Sequence, residues 1–231
     1  MSRAAEFVFP APAVPALQIA GRSALFPVRR VYCVGQNYAA HAREMGHDGR
    51  TPPFFFGKPA DAVVPGGGRI AYPPETGNFH HEVELVVALG KAGANIMREN
   101  ALDHVFGYAV GIDLTRRDLQ AEAREKRQPW DVAKGFDCSA PVGQIHPAAD
   151  TGHVAKGAIW FKVNGATKQS GDISDLIWPV PDIVSTLSRF FMLQPGDLVF
   201  TGTPSGVGPL QRGDRGEGGI DGLGTVAIEI V

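Results

Sequence analysis

Hydrophobic positions along the chain fall in short runs separated by Gly, Pro and polar clusters, rather than in long helical stripes. Arg30 to Val34 is an apolar run that reads as a buried strand ending at Gly35. Phe54-Phe55-Phe56 opens a second short strand, closed by Gly57-Lys58-Pro59. Phe79 to Leu89 is the clearest strand of all, and Tyr108 to Leu114 is another. Ala158 to Val163 and Ala166 to Gln169 flank Asn164-Gly165, the strongest short-range hairpin signal. Leu198 to Thr201 and Thr225 to Val231 add two more strands, and Gly66-Gly67-Gly68 predicts a turn. Helical spacing is rarer. Ile183, Val184, Leu187 and Phe190-Phe191 recur three to four apart within Pro181 to Phe191. Arg116 to Lys126 is a charged helix stopped at Gln128-Pro129. Asn37 to Gly46 reads as a short polar helix with Asn37 as N-cap and Gly46 as stop, followed by a turn-rich loop, His47 to Pro53. The pattern predicts a β-rich α/β domain.

Length and composition narrow this. A chain of 231 residues suits one large domain, read as a Pro-rich N-terminal arm over 1–30 and a catalytic domain over 31–231. A net charge near −2, with acids and bases interleaved, leaves no electrostatic footprint for nucleic acid or an anionic membrane. No stretch approaches the roughly 18 apolar residues of a membrane span. The first twenty residues lack the basic and apolar regions of a secretory signal, so the expected location is cytoplasmic. Cys33 and Cys138 are far apart and form no CxxC pair; both are expected as buried free thiols.

Chemistry concentrates in a few places. On a strand, Glu82 and Glu84 share a face. Two carboxylates on one face are either a solvated acidic pair or a site that needs positive charge. Asp113, at the end of the apolar run Tyr108 to Ile112, is either a helix cap or a third ligand. Together the three carboxylates describe a site for a hard cation, with oxygen donors suited to Mg²⁺, Mn²⁺ or Ca²⁺. His41 and Glu44, three apart on the short helix, make either a surface pair or an oriented general base beside a loop able to close over a site. Arg117, Lys134 and Lys58 form a third, basic group: Arg117 lies four residues after Asp113, and Lys134, among small and apolar neighbours, either snorkels or meets an anion. Leu198 to Gly208 runs from a strand into a Gly-rich turn that lacks the Lys of a phosphate loop; its amides and Thr203 suit a carboxylate.

Several collinear motifs resemble the fumarylacetoacetate hydrolase family. They are Val-Gly-Gln-Asn-Tyr-Ala-Ala-His from Val34, Phe-Gly-Lys-Pro from Phe56, His-His-Glu-Val-Glu-Leu from His80, and Gly-Ile-Asp-Leu-Thr-Arg-Arg-Asp-Leu-Gln from Gly111. Further along come Ala-Lys-Gly-Phe-Asp from Ala133, Val-Asn-Gly from Val163 and Thr-Gly-Thr-Pro-Ser-Gly-Val-Gly from Thr201. The resemblance implies a mixed β-sandwich roll, a homodimer, one divalent cation (Mg²⁺ or Mn²⁺) and a small dioxo-acid substrate. It implies that Glu82, Glu84 and Asp113 bind the metal and that His41 and Glu44 form a catalytic dyad on a lid helix. Arg117, Gln120, Lys134 and Thr203 would contact the substrate or its oxyanion; apart from the resemblance, Lys58 is a basic residue that, like Arg117, could bind a substrate carboxylate. Gln36 departs from the Arg common in relatives, which removes a guanidinium beside the lid.

Residues 52–61 look most like fumarylpyruvate hydrolases of gentisate degradation. The expected reaction is therefore hydrolysis of the C3–C4 bond of a 2,4-dioxo acid, fumarylpyruvate giving fumarate and pyruvate. Acylpyruvase activity is an alternative, as is oxaloacetate decarboxylation or dioxo-acid isomerisation. A binding protein that keeps the fold without turnover is the reading from a different class.

Overall fold

The computed structural model describes residues 7–38 and 52–231. The expected helix therefore lies mostly outside the described residues, and His41 and Glu44 wholly so.

The chain is built on two large sheets. The eight-stranded one runs, in spatial order, Phe54–Lys58, Arg30–Gly35, Asp197–Phe200, Val83–Leu89, Val105–Ile112, Ala140–Val142 and Val63–Pro65, with His146–Pro147 paired to Val105–Ile112. The five-stranded one runs Ala166–Asp172, Ala158–Val163, Arg215–Ile220, Gly224–Ile230 and Gly67–Ile70. The expected β-rich roll is what forms.

Sequence alternation explains the layering. Val83, Leu85, Val87 and Leu89 enter a core shared with Ile159, Phe161 and Val226 of the second sheet and with Ile183, Val184 and Leu187 of the helix Val180–Leu187. Val86 and Ala88, on the other face of the same strand, enter a second core with Leu198, Phe200 and Cys33. Both faces of Val83–Leu89 are covered, so all seven residues are buried. The N-terminal hairpin, Ala16–Gln18 paired with Leu25–Pro27, closes this second core with Leu17 and Phe26. Each such side chain, fully buried, contributes on the order of 1.5–3 kcal/mol.

Three sequence readings need correction. Phe79 to Leu89 is not one strand but two, Phe79–His81 and Val83–Leu89, because the chain changes sheets at Glu82. Gly67 and Gly68 are not turn residues: they begin the strand Gly67–Ile70, paired in parallel with Gly224–Ile230. A Cβ at Gly67 would lie 2.1 Å from Ala227 O, so only glycine admits this approach. Cys138 is exposed, whereas Cys33 is buried on its strand as expected.

Candidate metal centre

Two strands leave the eight-stranded sheet together, and the acidic residues stand at the exit. Val83 pairs with Ile112 inside that sheet; three residues outward His80 pairs with Thr115, in a small three-stranded sheet completed by Gly208–Pro209. Glu82 and Asp113 occupy the switch positions between the two, tied by an Asp113 N–H bond to Glu82 O of 2.8 Å. Glu84 follows two residues on. The ligand atoms of Glu82, Glu84 and Asp113 lie within 4.8 Å of one another, and all three residues are buried. Asp113 caps no helix: the helix Arg117–Glu125 begins after Arg116 and has no side-chain cap.

Three like charges in a dry site repel and lose hydration. The protein answers with three cations. Lys134, at the end of the short helix Asp131–Lys134, donates to Glu82 Oε2 (2.9 Å), Asp113 Oδ2 (2.8 Å) and Thr115 Oγ1 (2.7 Å). Burial pulls its pKa down, but the Asp113 and Glu82 carboxylates outweigh this and hold it above the usual lysine value. Arg117 pairs through Nη2 with Glu82 Oε1 and through Nη1 with Gln120 Oε1. Lys58 meets Asp113 Oδ1 at 2.8 Å as an ion contact and donates to the backbone oxygens of Lys134 and Leu114.

Glu84 is held differently. Its Oε2 accepts from Gly202 N–H at 2.7 Å. Burial, then the Asp113 and Glu82 charges, push its carboxyl well above the usual carboxylate range. Gly202 has φ +101°, and a Cβ there would sit 2.8 Å from Asn37 Cβ, so glycine is required where this amide turns toward the acid. Asn37 in turn donates to Thr201 O and Trp178 O and accepts from Trp178 N–H.

The pocket above the carboxylates has Glu82, Glu84, Asp113, Lys134, Arg117 and Gln120 on its polar side, and Val34, Phe56 and Trp130 as apolar wall. Gln36, in the left-handed region at φ +58°, lines its rim. Of the residues expected to meet substrate, Arg117, Gln120 and Thr203 border this space, while Lys58 is buried behind Asp113. The Thr203 hydroxyl donates inward to Val83 O at 2.8 Å.

Sequence reasoning left several neighbours without a role. Burial, then Arg117, push the His80 imidazole down to about 4, so at neutral pH it is uncharged; its Nδ1 accepts from Arg117 Nε at 3.4 Å. Thr115 and Gln169 carry no signal of their own in a one-dimensional reading.

The donor set fits a divalent cation. Three buried carboxylates supply hard oxygen ligands, and no His or Cys joins them among the described residues.

Residues 30–231 match the family described as fumarylacetoacetate (FAA) hydrolase, C-terminal. Fumarylpyruvate hydrolase from Pseudomonas aeruginosa, solved in complex with Mn²⁺ and pyruvate, is 56% identical, with a TM-score of 0.96 over 98% of this chain and 99% of that one. Fumarylpyruvate hydrolase from a Ralstonia species is 43% identical over 177 residues, 77% of this chain and 92% of the relative. The mitochondrial oxaloacetate tautomerase FAHD1 of Mus musculus is 41% identical over 202 residues, 87% of this chain and 91% of the relative. The chain belongs to the fumarylacetoacetate hydrolase family and is a metal-dependent hydrolase of that family's type.

Proposed function

We propose that this enzyme hydrolyses the C3–C4 bond of a 2,4-dioxo acid, with fumarylpyruvate as substrate and fumarate and pyruvate as products, in the cytoplasmic breakdown of aromatic acids such as gentisate. The observation that carries the reading is the convergence of three buried carboxylates with Lys134 and Arg117 at the floor of one pocket. Glu82, Glu84 and Asp113 would hold one cation, Mg²⁺ or Mn²⁺, whose charge would polarise the oxygens of a bound 2-oxo acid and favour negative charge on the leaving fragment.

The chain's own groups supply the rest. Arg117, backed by Gln120 and the neutral His80, is a fixed guanidinium suited to a substrate carboxylate. The Lys134 ammonium stabilises negative charge on the carbonyl oxygen as water adds at C4. His41, oriented by Glu44, takes the proton from that water; both are assigned through the family resemblance. The C3–C4 bond then breaks, C4 leaves as the carboxylic acid, and C3 takes up a proton to complete pyruvate. Thr203, whose hydroxyl proton goes to Val83 O, lines the pocket and holds its backbone in place. Lys58 balances charge from behind Asp113. Phe56, Trp130 and Val34 give the unsaturated arm an apolar wall. We propose a homodimer as the working unit, which light scattering checks: two chain masses are expected.

A second reading is keto–enol or related isomer chemistry on oxaloacetate, motivated by the 41% identity to the mouse tautomerase. It needs the same cation and Lys134 but no attacking water. The deciding experiment supplies Mn²⁺ or Mg²⁺ and offers fumarylpyruvate, acetylpyruvate and oxaloacetate in turn. Fumarate release from fumarylpyruvate at the highest kcat/KM is expected. Turnover confined to oxaloacetate would replace the hydrolase reading with the second one.

A further inference from the structure

Val83 stands between Glu82 and Glu84, and side chains hold both of its backbone polar groups on one edge. Strand Asp197–Phe200 pairs with residues 86–88, and Thr201 still reaches Leu85 O through both its N–H (3.1 Å) and its Oγ1 (2.9 Å). Beyond that the chain leaves the sheet: Gly202 turns its amide to Glu84. Val83 O then accepts from Thr203 Oγ1 at 2.8 Å, and Val83 N–H donates to Gln169 Oε1 at 3.1 Å.

Gln169 ties this arrangement together. It belongs to the outer strand Ala166–Asp172 of the five-stranded sheet, where it is the one fully buried side chain in an otherwise exposed or half-exposed run. Its amide is saturated. Nε2 donates to Thr203 Oγ1 (2.8 Å) and to Pro204 O (2.9 Å); Oε1 faces Val83 N–H and His81 Nδ1 (2.9 Å). Pro204 O can only accept and Val83 N–H can only donate, which fixes which end of the amide points where. Thr203 Oγ1 accepts from Gln169 and so has its proton free for Val83 O. His81 Nδ1 must carry a hydrogen toward Oε1, on a ring stacked 4.3 Å from Phe161.

We infer that Gln169, through its own bond to Val83 N–H and through Thr203, is a positioning residue for the metal centre: it fixes the backbone between Glu82 and Glu84 and anchors the turn whose Gly202 amide holds Glu84. Gln169 touches neither the carboxylates nor the pocket space. Its effect on the cation is therefore indirect, through ligand spacing. The inference rests on the proposal that Glu82, Glu84 and Asp113 bind the cation.

The test is Mn²⁺ binding to the metal-stripped full-length protein, read as free Mn²⁺ by electron paramagnetic resonance, with folding checked by circular dichroism. Variants are Gln169→Met, which keeps the volume and removes all four hydrogen bonds, Thr203→Val, and the double variant. Groups that orient ligands from behind typically change metal affinity by roughly 10–100-fold. Gln169→Met and Thr203→Val should each raise the Kd within that range, and the double variant should lose less than the product of the two single effects, because the Gln169–Thr203 bond is common to both. A Kd within about twofold of wild type in a folded Gln169→Met protein overturns the inference. If Gln169→Met does not fold, Thr203→Val decides on the same criterion. Full additivity in the double variant also overturns it. Glu82→Gln and Glu84→Gln serve as controls: unchanged Mn²⁺ binding in both would instead bring down the metal assignment itself.

Discussion

Lys134 is fully buried and shares its ammonium between Glu82, Asp113 and Thr115. Removing one partner of a buried ionic group leaves uncompensated charge, at a cost of about 3–5 kcal/mol. Lys134→Met is therefore expected to destabilise the metal-free protein by about 3 kcal/mol in urea unfolding, and to abolish turnover on the preferred dioxo acid. His41 and Glu82 separate the two proposed roles. His41→Ala should lose about 10²–10⁴ in kcat while Mn²⁺ affinity stays within a few-fold, the usual scale for losing a general base. Glu82→Gln should lose Mn²⁺ binding first, seen by calorimetric titration. A His41→Ala enzyme with near-normal kcat would put the base elsewhere.

At the level of elements, the helix Arg117–Glu125 matters because its first turn delivers Arg117 and Gln120 to the pocket. That turn is docked by Asp118, whose carboxylate accepts from Thr76 Oγ1 (2.5 Å), Gly77 N–H (2.8 Å) and Leu119 N–H (2.9 Å), while Arg117 N–H bonds Asn78 O. Partial burial raises the Asp118 pKa, but the bonds from Thr76, Gly77 and Leu119 outweigh it and leave the group below the usual aspartate value. A carboxylate with a lowered folded pKa stabilises the fold above its unfolded value, near 3.9, and loses that contribution as pH falls through the folded value. Asp118→Asn should thus destabilise more at pH 7 than at pH 3 in denaturant unfolding. The same comparison at the pocket should show a raised KM, since Arg117 loses its platform.

Across the whole molecule, the second sheet presses from behind on the strand Val83–Leu89, which carries Glu84. Gly218, in Arg215–Ile220, faces Val83: a Cβ there would come within 2.9 Å of Val83 Cγ2 and 3.2 Å of Phe161 Cδ2. Overpacking of this kind typically costs about 1–3 kcal/mol. Gly218→Val is expected to lower stability by that amount in urea unfolding and to weaken Mn²⁺ binding as well, because the displaced residue lies between two of the proposed ligands, Glu82 and Glu84. Equal stability with unchanged Mn²⁺ affinity would show that the sheets do not bear on each other there. Among the described residues no helix is long and apolar enough to cross a membrane.

Much of this was determined by the sequence alone. Strand alternation from Val83 to Leu89, the Asn164-Gly165 hairpin and the apolar spacing of Ile183, Val184 and Leu187 are local signals, because side-chain direction follows from the period of the element. The acidic trio was legible for the same reason: charged residues stand out in apolar runs. What only the tertiary structure decided is where unlike strands meet. The change of sheet at Glu82 and Asp113 leaves no mark in the hydrophobic pattern, since the residues on either side are equally buried. The strand Arg215–Ile220 was illegible because Gly216, Gly218 and Gly219 have no side chains to alternate; they are glycine because Phe161 and Trp160 from the neighbouring strand fill that space. Gln169 looks like one more polar residue on an exposed strand until the turn after Thr201 folds over it. Hydrogen bonds between residues more than thirty apart in the chain gave it a role, and no local pattern encodes such partners.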